Sequence, residues 1–127
     1  MNITQFHAEV LNAPVKNQQW SWGSENDHAI FLRGWYHQLQ GGKVQVQSTQ
    51  DKPSPGLNER IRHLEACKQG KPGYMVLMQA RDPKAEKLSI RQFDQVVYPI
   101  IKIATDLEGV TWAHINCLEP VSPRGLR

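Results

Sequence analysis

Apolar positions along the chain fall into short runs with two different periods. Near the start, Ile3, Phe6, Val10 and Leu11 recur at helical spacing. Asn2 is placed to cap that helix, and Asn12 with Pro14 is placed to stop it. Residues 20–23 and 29–36 are rich in aromatic and apolar side chains and flank the turn-forming stretch 24–27, which predicts a β-hairpin. Residues 43–49 alternate polar and apolar with period two, as a half-exposed strand does. Helical spacing returns at Leu57, Ile61, Leu64 and Cys67, predicting an amphipathic helix over 57–68 that ends at Gly70 and Pro72. Further strands are predicted over 73–80, 88–93, 96–103 and 110–115, the last two joined by a turn at Asp106, Leu107, Glu108 and Gly109.

Six or seven strands, two helices and short connections, without internal repeat or strict βαβ alternation, make an α+β domain. The expected architecture is a small mixed or antiparallel curled sheet, or a small β-barrel, with two helices. One domain is expected over residues 1–127, with two prolines and a glycine beyond about residue 120 predicting a frayed tail.

Composition narrows the class. At 39% apolar and 21% charged residues, without a long run of one sign, the chain is expected to fold. Its longest apolar stretches fall well short of the roughly 20 residues that cross a bilayer, so no membrane partner is expected. The start of the chain lacks the basic and apolar segments of a secretory signal. Cys67 and Cys117 have no CxxC spacing, and a reducing, cytoplasmic location is expected. The net charge of +3 is concentrated between Lys52 and Lys71, where five basic residues stand against two acids. That excess favours an anionic partner.

The usual catalytic signatures are absent. His7-Ala8-Glu9 has the His-x-Glu of a zinc deaminase but no Pro-Cys-x-x-Cys follows it. The five histidines lack metal-ligand spacing, and there is no nucleotide-binding glycine loop, so no metal and no cofactor is expected. The tryptophans are the more informative residues. Trp20 and Trp22, two apart on a strand, would share one sheet face, with Trp35 on the paired strand completing a cluster. Such rings either fill a core or form a stacking platform for a base. Arg33 and Tyr74 would add polar or planar contacts. Ser54 opens the second helix, and Arg60, Arg62 and His63 follow it, a pattern suited to binding phosphate at a helix N-terminus or to simple capping.

The tryptophan-led hairpin, the basic helix begun by Pro55-Gly56, the stretch Gly73-Tyr74-Met75-Val76-Leu77-Met78 and the closing strands together resemble the PUA-like superfamily of EVE, YTH and ASCH domains. The resemblance implies a small β-barrel that recognises RNA or modified bases in an aromatic pocket. No lysine, threonine and glutamate set of the ASCH-type hydrolases is found. The leading expectation is a nucleic-acid-binding module, DNA or RNA, that reads a modified or flipped base. One alternative is an enzyme on a small anionic or nucleoside-like substrate, with His37 or His63 as acid or base and Arg60 as anion clamp. The other is an accessory domain whose aromatic strands bury against a protein partner.

Overall fold

The computed structural model describes residues 1–123. Its first helix forms where the spacing of Ile3 and Phe6 requires it: α1 (Ile3–Gln5) passes directly into a π-helical turn (Phe6–Val10). Asn2 and Gln5 close a capping box in which each side chain accepts the other's backbone N–H. Asn12 ends the segment at a φ of 54°, a left-handed conformation that asparagine tolerates.

Eight strands occur among the described residues, one or two more than the period-two runs predict. They are β1 (Gly23–Glu25), β2 (Ile30–Trp35), β3 (Leu39–Gln40), β4 (Lys43–Gln47), β5 (Gly73–Ala80), β6 (Ile90–Phe93), β7 (Tyr98–Thr105) and β8 (Thr111–Ile115). The second helix, α2 (Pro55–Lys68), lies between β4 and β5 in the chain. The sheet order is β1-β2-β5-β7-β8-β4-β3, with β6 paired to the end of β5 beyond β7, on the edge away from β2. Of the strand pairs among the described residues, only β2 with β5 is parallel. The sheet is mixed and does not close into a barrel, so of the two architectures expected it is the open one that forms.

β2 and β5 are the central strands, and both of their faces are covered. Ile30, Leu32, Met75 and Leu77 pack with Leu64 of α2 and with Val44, Val46, Ala113 and Ile115. Phe31, Val76 and Met78 face the other way, onto Ile3, Phe6 and Leu11. Continuous apolar runs are what a doubly covered strand needs. β4 and β8 bury alternate residues only. Lys43, Gln45 and Gln47 of β4, with Trp112 and His114 of β8, remain partly exposed on the outer face.

Two expectations need correction. Trp20 lies in a turn and β1 begins only at Gly23, so the geometry that would set Trp20 and Trp22 on one strand face does not exist. α2 buries Glu59, Arg60 and His63 beside Leu64 and leaves Ile61 44% exposed, so its buried face is not the apolar stripe that its spacing predicts. Within the segment predicted to fray, Val121 and Val97 exchange two backbone hydrogen bonds, of 2.7 and 3.1 Å. The remainder of the predicted tail lies outside the described residues. No helix among the described residues is long and apolar enough to cross a membrane, and Cys67 and Cys117 are free thiols.

Candidate functional site

The loop before β1 is held by its own polar groups. Asn17 Oδ1 accepts the Gln19 N–H at 2.8 Å, the Asn17 N–H donates to Ser21 Oγ at 3.0 Å, and the Ser21 N–H returns to the Asn17 carbonyl at 2.9 Å. This fixes Trp20 without a strand, while the Trp22 carbonyl accepts the Arg33 N–H of β2 at 3.1 Å. Their loop lies on the start of α2: a Cβ placed on Gly56 would sit 2.5 Å from the Trp20 carbonyl oxygen and closer still to the Trp22 indole nitrogen.

Arg60 joins that loop to two strands. Its Nη2 donates to the carbonyls of Trp22 at 2.6 Å and Arg33 at 2.9 Å, and its Nη1 donates to the Val46 carbonyl at 2.8 Å. Burial pushes its pKa down to about 10, opposed by the nearby Asp51 carboxylate, so the guanidinium stays charged at neutral pH.

The loop, β2 and β4 thereby enclose an open cavity of about 450 Å³. Trp20, Trp22 and Trp35 all line it, each ring partly exposed. Gln18, Gln19, Gln38, Gln45 and Gln47 line it too, and none of their side-chain amides is hydrogen-bonded within the described protein. Met78, Leu88 and Ile90 supply an apolar wall. Asp51 contributes a carboxylate whose Oδ2 accepts the Ser48 N–H at 2.8 Å.

Beside the cavity runs a buried polar seam. Arg33 Nε donates to His7 Nε2 at 3.1 Å, which places the histidine's proton on Nδ1, from where it is donated to Ser24 Oγ at 2.6 Å. Burial, reinforced by the Arg33 charge, lowers the His7 pKa to about 3. A general base would have to accept the serine proton, and this imidazole does the opposite. Ser24 is therefore not an activated nucleophile. Burial also lowers the Arg33 pKa to about 10, partly offset by Glu59, and its Nη2 is buried without a partner.

Of the residues predicted from sequence, Trp20, Trp22, Trp35, Arg33 and Arg60 meet at this cavity. Tyr74 does not: its ring stacks on Phe31, with centroids 5.8 Å apart, in the core. The predicted phosphate group does not assemble either. Ser54 Oγ caps α2 by accepting the Leu57 N–H at 3.1 Å, Arg62 pairs with Glu25 at 2.5 Å, and Arg60 is committed to carbonyls. His63 is 1% exposed with its pKa lowered to about 4, chiefly by burial and then by Arg62. Neither His63 nor His37 lines the cavity. No group of three His, Cys, Asp or Glu side chains among the described residues could hold a metal.

The glutamines and Asp51 escape sequence reasoning. The period-two pattern places Gln45 and Gln47 on one strand face, but nothing in it shows that a distant loop will supply Gln18 and Gln19 to the same space. Comparison with known proteins adds no assignment: no family model, no curated protein and no solved structure matches this chain.

Proposed function

We propose that this domain binds single-stranded nucleic acid by taking one base, flipped or modified, into the tryptophan-lined cavity. The observation that carries the reading is the combination of three partly exposed indoles with five unengaged glutamine amides around one space. A base has planar faces for the indoles, and its edge carries both donors and acceptors, which an amide can match from either side. A volume of about 450 Å³ lies within the range of ligand sites, and the wall of Met78, Leu88 and Ile90 suits an apolar substituent on the base. Phosphate contacts fall to exposed cations beside the lining residues: Lys52 next to Asp51, Lys87 next to Leu88, and Arg91 next to Ile90. A PUA-like relationship, resting on the order of elements, goes with this reading, and the two free thiols suit a reducing compartment such as the cytoplasm.

Titration of the protein's tryptophan fluorescence with short single-stranded DNA and RNA at low salt tests it. Quenching that saturates, weakens with added salt, and is lost in Trp35→Ala at unchanged circular dichroism is the expected result. Absence of binding at low salt would overturn the reading.

A further inference from the structure

Among the described residues no element covers the outer face of β4, β8 and β7, and its composition is unusual for a solvent face. Register places Lys102, His114 and Lys43 side by side across the three strands, and one row further on Ala104, Trp112 and Gln45. Cross-strand partners in an antiparallel pair lie on the same side of the sheet. The alternating burial of β4 and β8 puts this set outward, with Val44, Val46, Ala113 and Ile115 inward. The row continues into the cavity, because Gln45 both lines it and pairs with Trp112.

We infer that this face is the track on which the strand flanking the captured base runs, with Trp112 as a second stacking platform and Lys43 and Lys102 as phosphate contacts. The inference rests on the cavity reading and extends it by one strand spacing, a step of about 4.8 Å. The edge of the indole is fixed: its Nε1 donates to Asp106 Oδ2 at 3.0 Å, so the ring is held rigid before any ligand arrives. Lys43 Nζ sits 4.5 Å from the ring centroid, and its flexible stem allows the ammonium to exchange the indole face for a phosphate while a base takes that face. Lys102 has no carboxylate partner among the described residues, and the two charged pairs found there, Arg62 and Lys71, both involve Glu25, on β1. His114 has its pKa lowered by burial and by Lys102 and Lys43, in keeping with a local excess of positive charge. The acids nearby are Asp106, which holds the indole, and Glu108 at the tip of the following turn. A chain of phosphates and bases matches this alternation of cation and aromatic ring, and continuity with the cavity gives its direction.

Binding of oligothymidylates and mixed-sequence oligonucleotides of two and of eight nucleotides separates the track from the cavity. Trp112→Ala and the double variant Lys43→Ala/Lys102→Ala are each expected to weaken the eight-nucleotide ligands by about tenfold. The dinucleotides, which fill only the cavity, should be unchanged. Trp112→Phe should restore the longer ligands, since a phenyl ring still stacks, and this separates stacking from a fold defect. The double variant should also flatten the salt dependence by about 1.4 in the log–log slope, or 0.7 for each phosphate contact on a single strand. Equal affinity of all variants for the eight-nucleotide ligands, with Trp35→Ala abolishing binding, would overturn the track and leave the cavity reading standing. Failure of every oligonucleotide to bind would remove both. Displacement of the long ligand by polyglutamate as readily as by a second oligonucleotide would overturn the track as a nucleic-acid surface.

Discussion

Arg60 keeps its charge where only 4% of its surface meets water, and three backbone carbonyls stand in for that water. Hydrogen bonds to a charged donor are worth about 1.5–3 kcal/mol each, and losing the donor takes one from each of three carbonyls, of which Trp22's still accepts the Arg33 N–H. Arg60→Ala is therefore expected to cost about 3 kcal/mol or more in urea unfolding and to loosen the cavity walls at Trp22, Arg33 and Val46. Arg60→Lys keeps the charge but cannot span three directions with a planar fork, and should recover only part of the loss. Wild-type stability in Arg60→Ala would show that the bridging is incidental. His7 and His63 give a second test, with a definite sign. Both are held neutral, with folded pKa values of about 3 and about 4 against 6.5 in the unfolded chain. Below pH 6.5 the unfolded chain takes up protons that the folded protein refuses. Stability is thus complete above pH 6.5 and is lost as pH falls, by up to about 1.4 kcal/mol per pH unit for each histidine. Urea midpoints from pH 7 to pH 4 measure this slope. His63→Gln should flatten it, and an unchanged slope would show that His63 is not the group taking up the proton.

Among the elements, α2 shows most clearly what the sequence could not reveal. Its C-terminal end is readable, because the Gly70 to Pro72 stop acts locally, while its start at Pro55, capped by Ser54, comes two residues before the predicted Leu57. Its orientation is not readable, because periodicity assumes that apolar residues go inward, whereas three carbonyls from distant segments draw Arg60 in and turn Ile61 out. The strands divide in the same way. β5 is predicted at its observed bounds because Pro72 and Asp82-Pro83 fence it. The Trp20 segment is misread because Asn17 and Ser21 fold it into a turn through contacts that no residue pattern exposes. The cavity was half legible: its indoles and Arg33 stand out by residue type, while its glutamines do not. Gly56 turns this packing into a prediction of unusual sign. Replacing a helical glycine by alanine ordinarily stabilises by about 1 kcal/mol. Here the added methyl would collide with the Trp20 carbonyl and the Trp22 indole, and the first turn of α2 cannot retreat without losing the Ser54 cap. Gly56→Ala is expected to lower the thermal midpoint and shift tryptophan emission, whereas a raised midpoint with unchanged emission would mean the loop yields freely.

At the scale of the molecule, the site depends on two parts of the sheet that are far apart in strand order. β2 stands second and β4 sixth, and the chain of pairings between them passes through β5 and β7, which share only two register pairs, Tyr74 with Pro99 and Met75 with Tyr98. The two parts nevertheless approach each other, because a Cβ on Gly34 of β2 would lie 2.7 Å from both Val44 of β4 and Met75 of β5. Glycine is what permits that approach. Arg60 is the polar tie across the gap, and a base in the cavity would be the next, touching the tryptophans on the β2 side and Gln45 and Gln47 on the β4 side. A ligand that bridges two weakly joined parts stabilises the fold by its own binding energy, about 2.7 kcal/mol at a hundredfold excess over Kd. Hydrogen exchange with and without a saturating oligonucleotide locates that stabilisation. Protection should rise in residues 18–22, 33–35 and 45–47 and at the β5–β7 junction, while the last turn of α2 stays unchanged. Protection confined to the loop, with β4 unaffected, would place the ligand outside the cavity and return the tryptophans to a purely structural role.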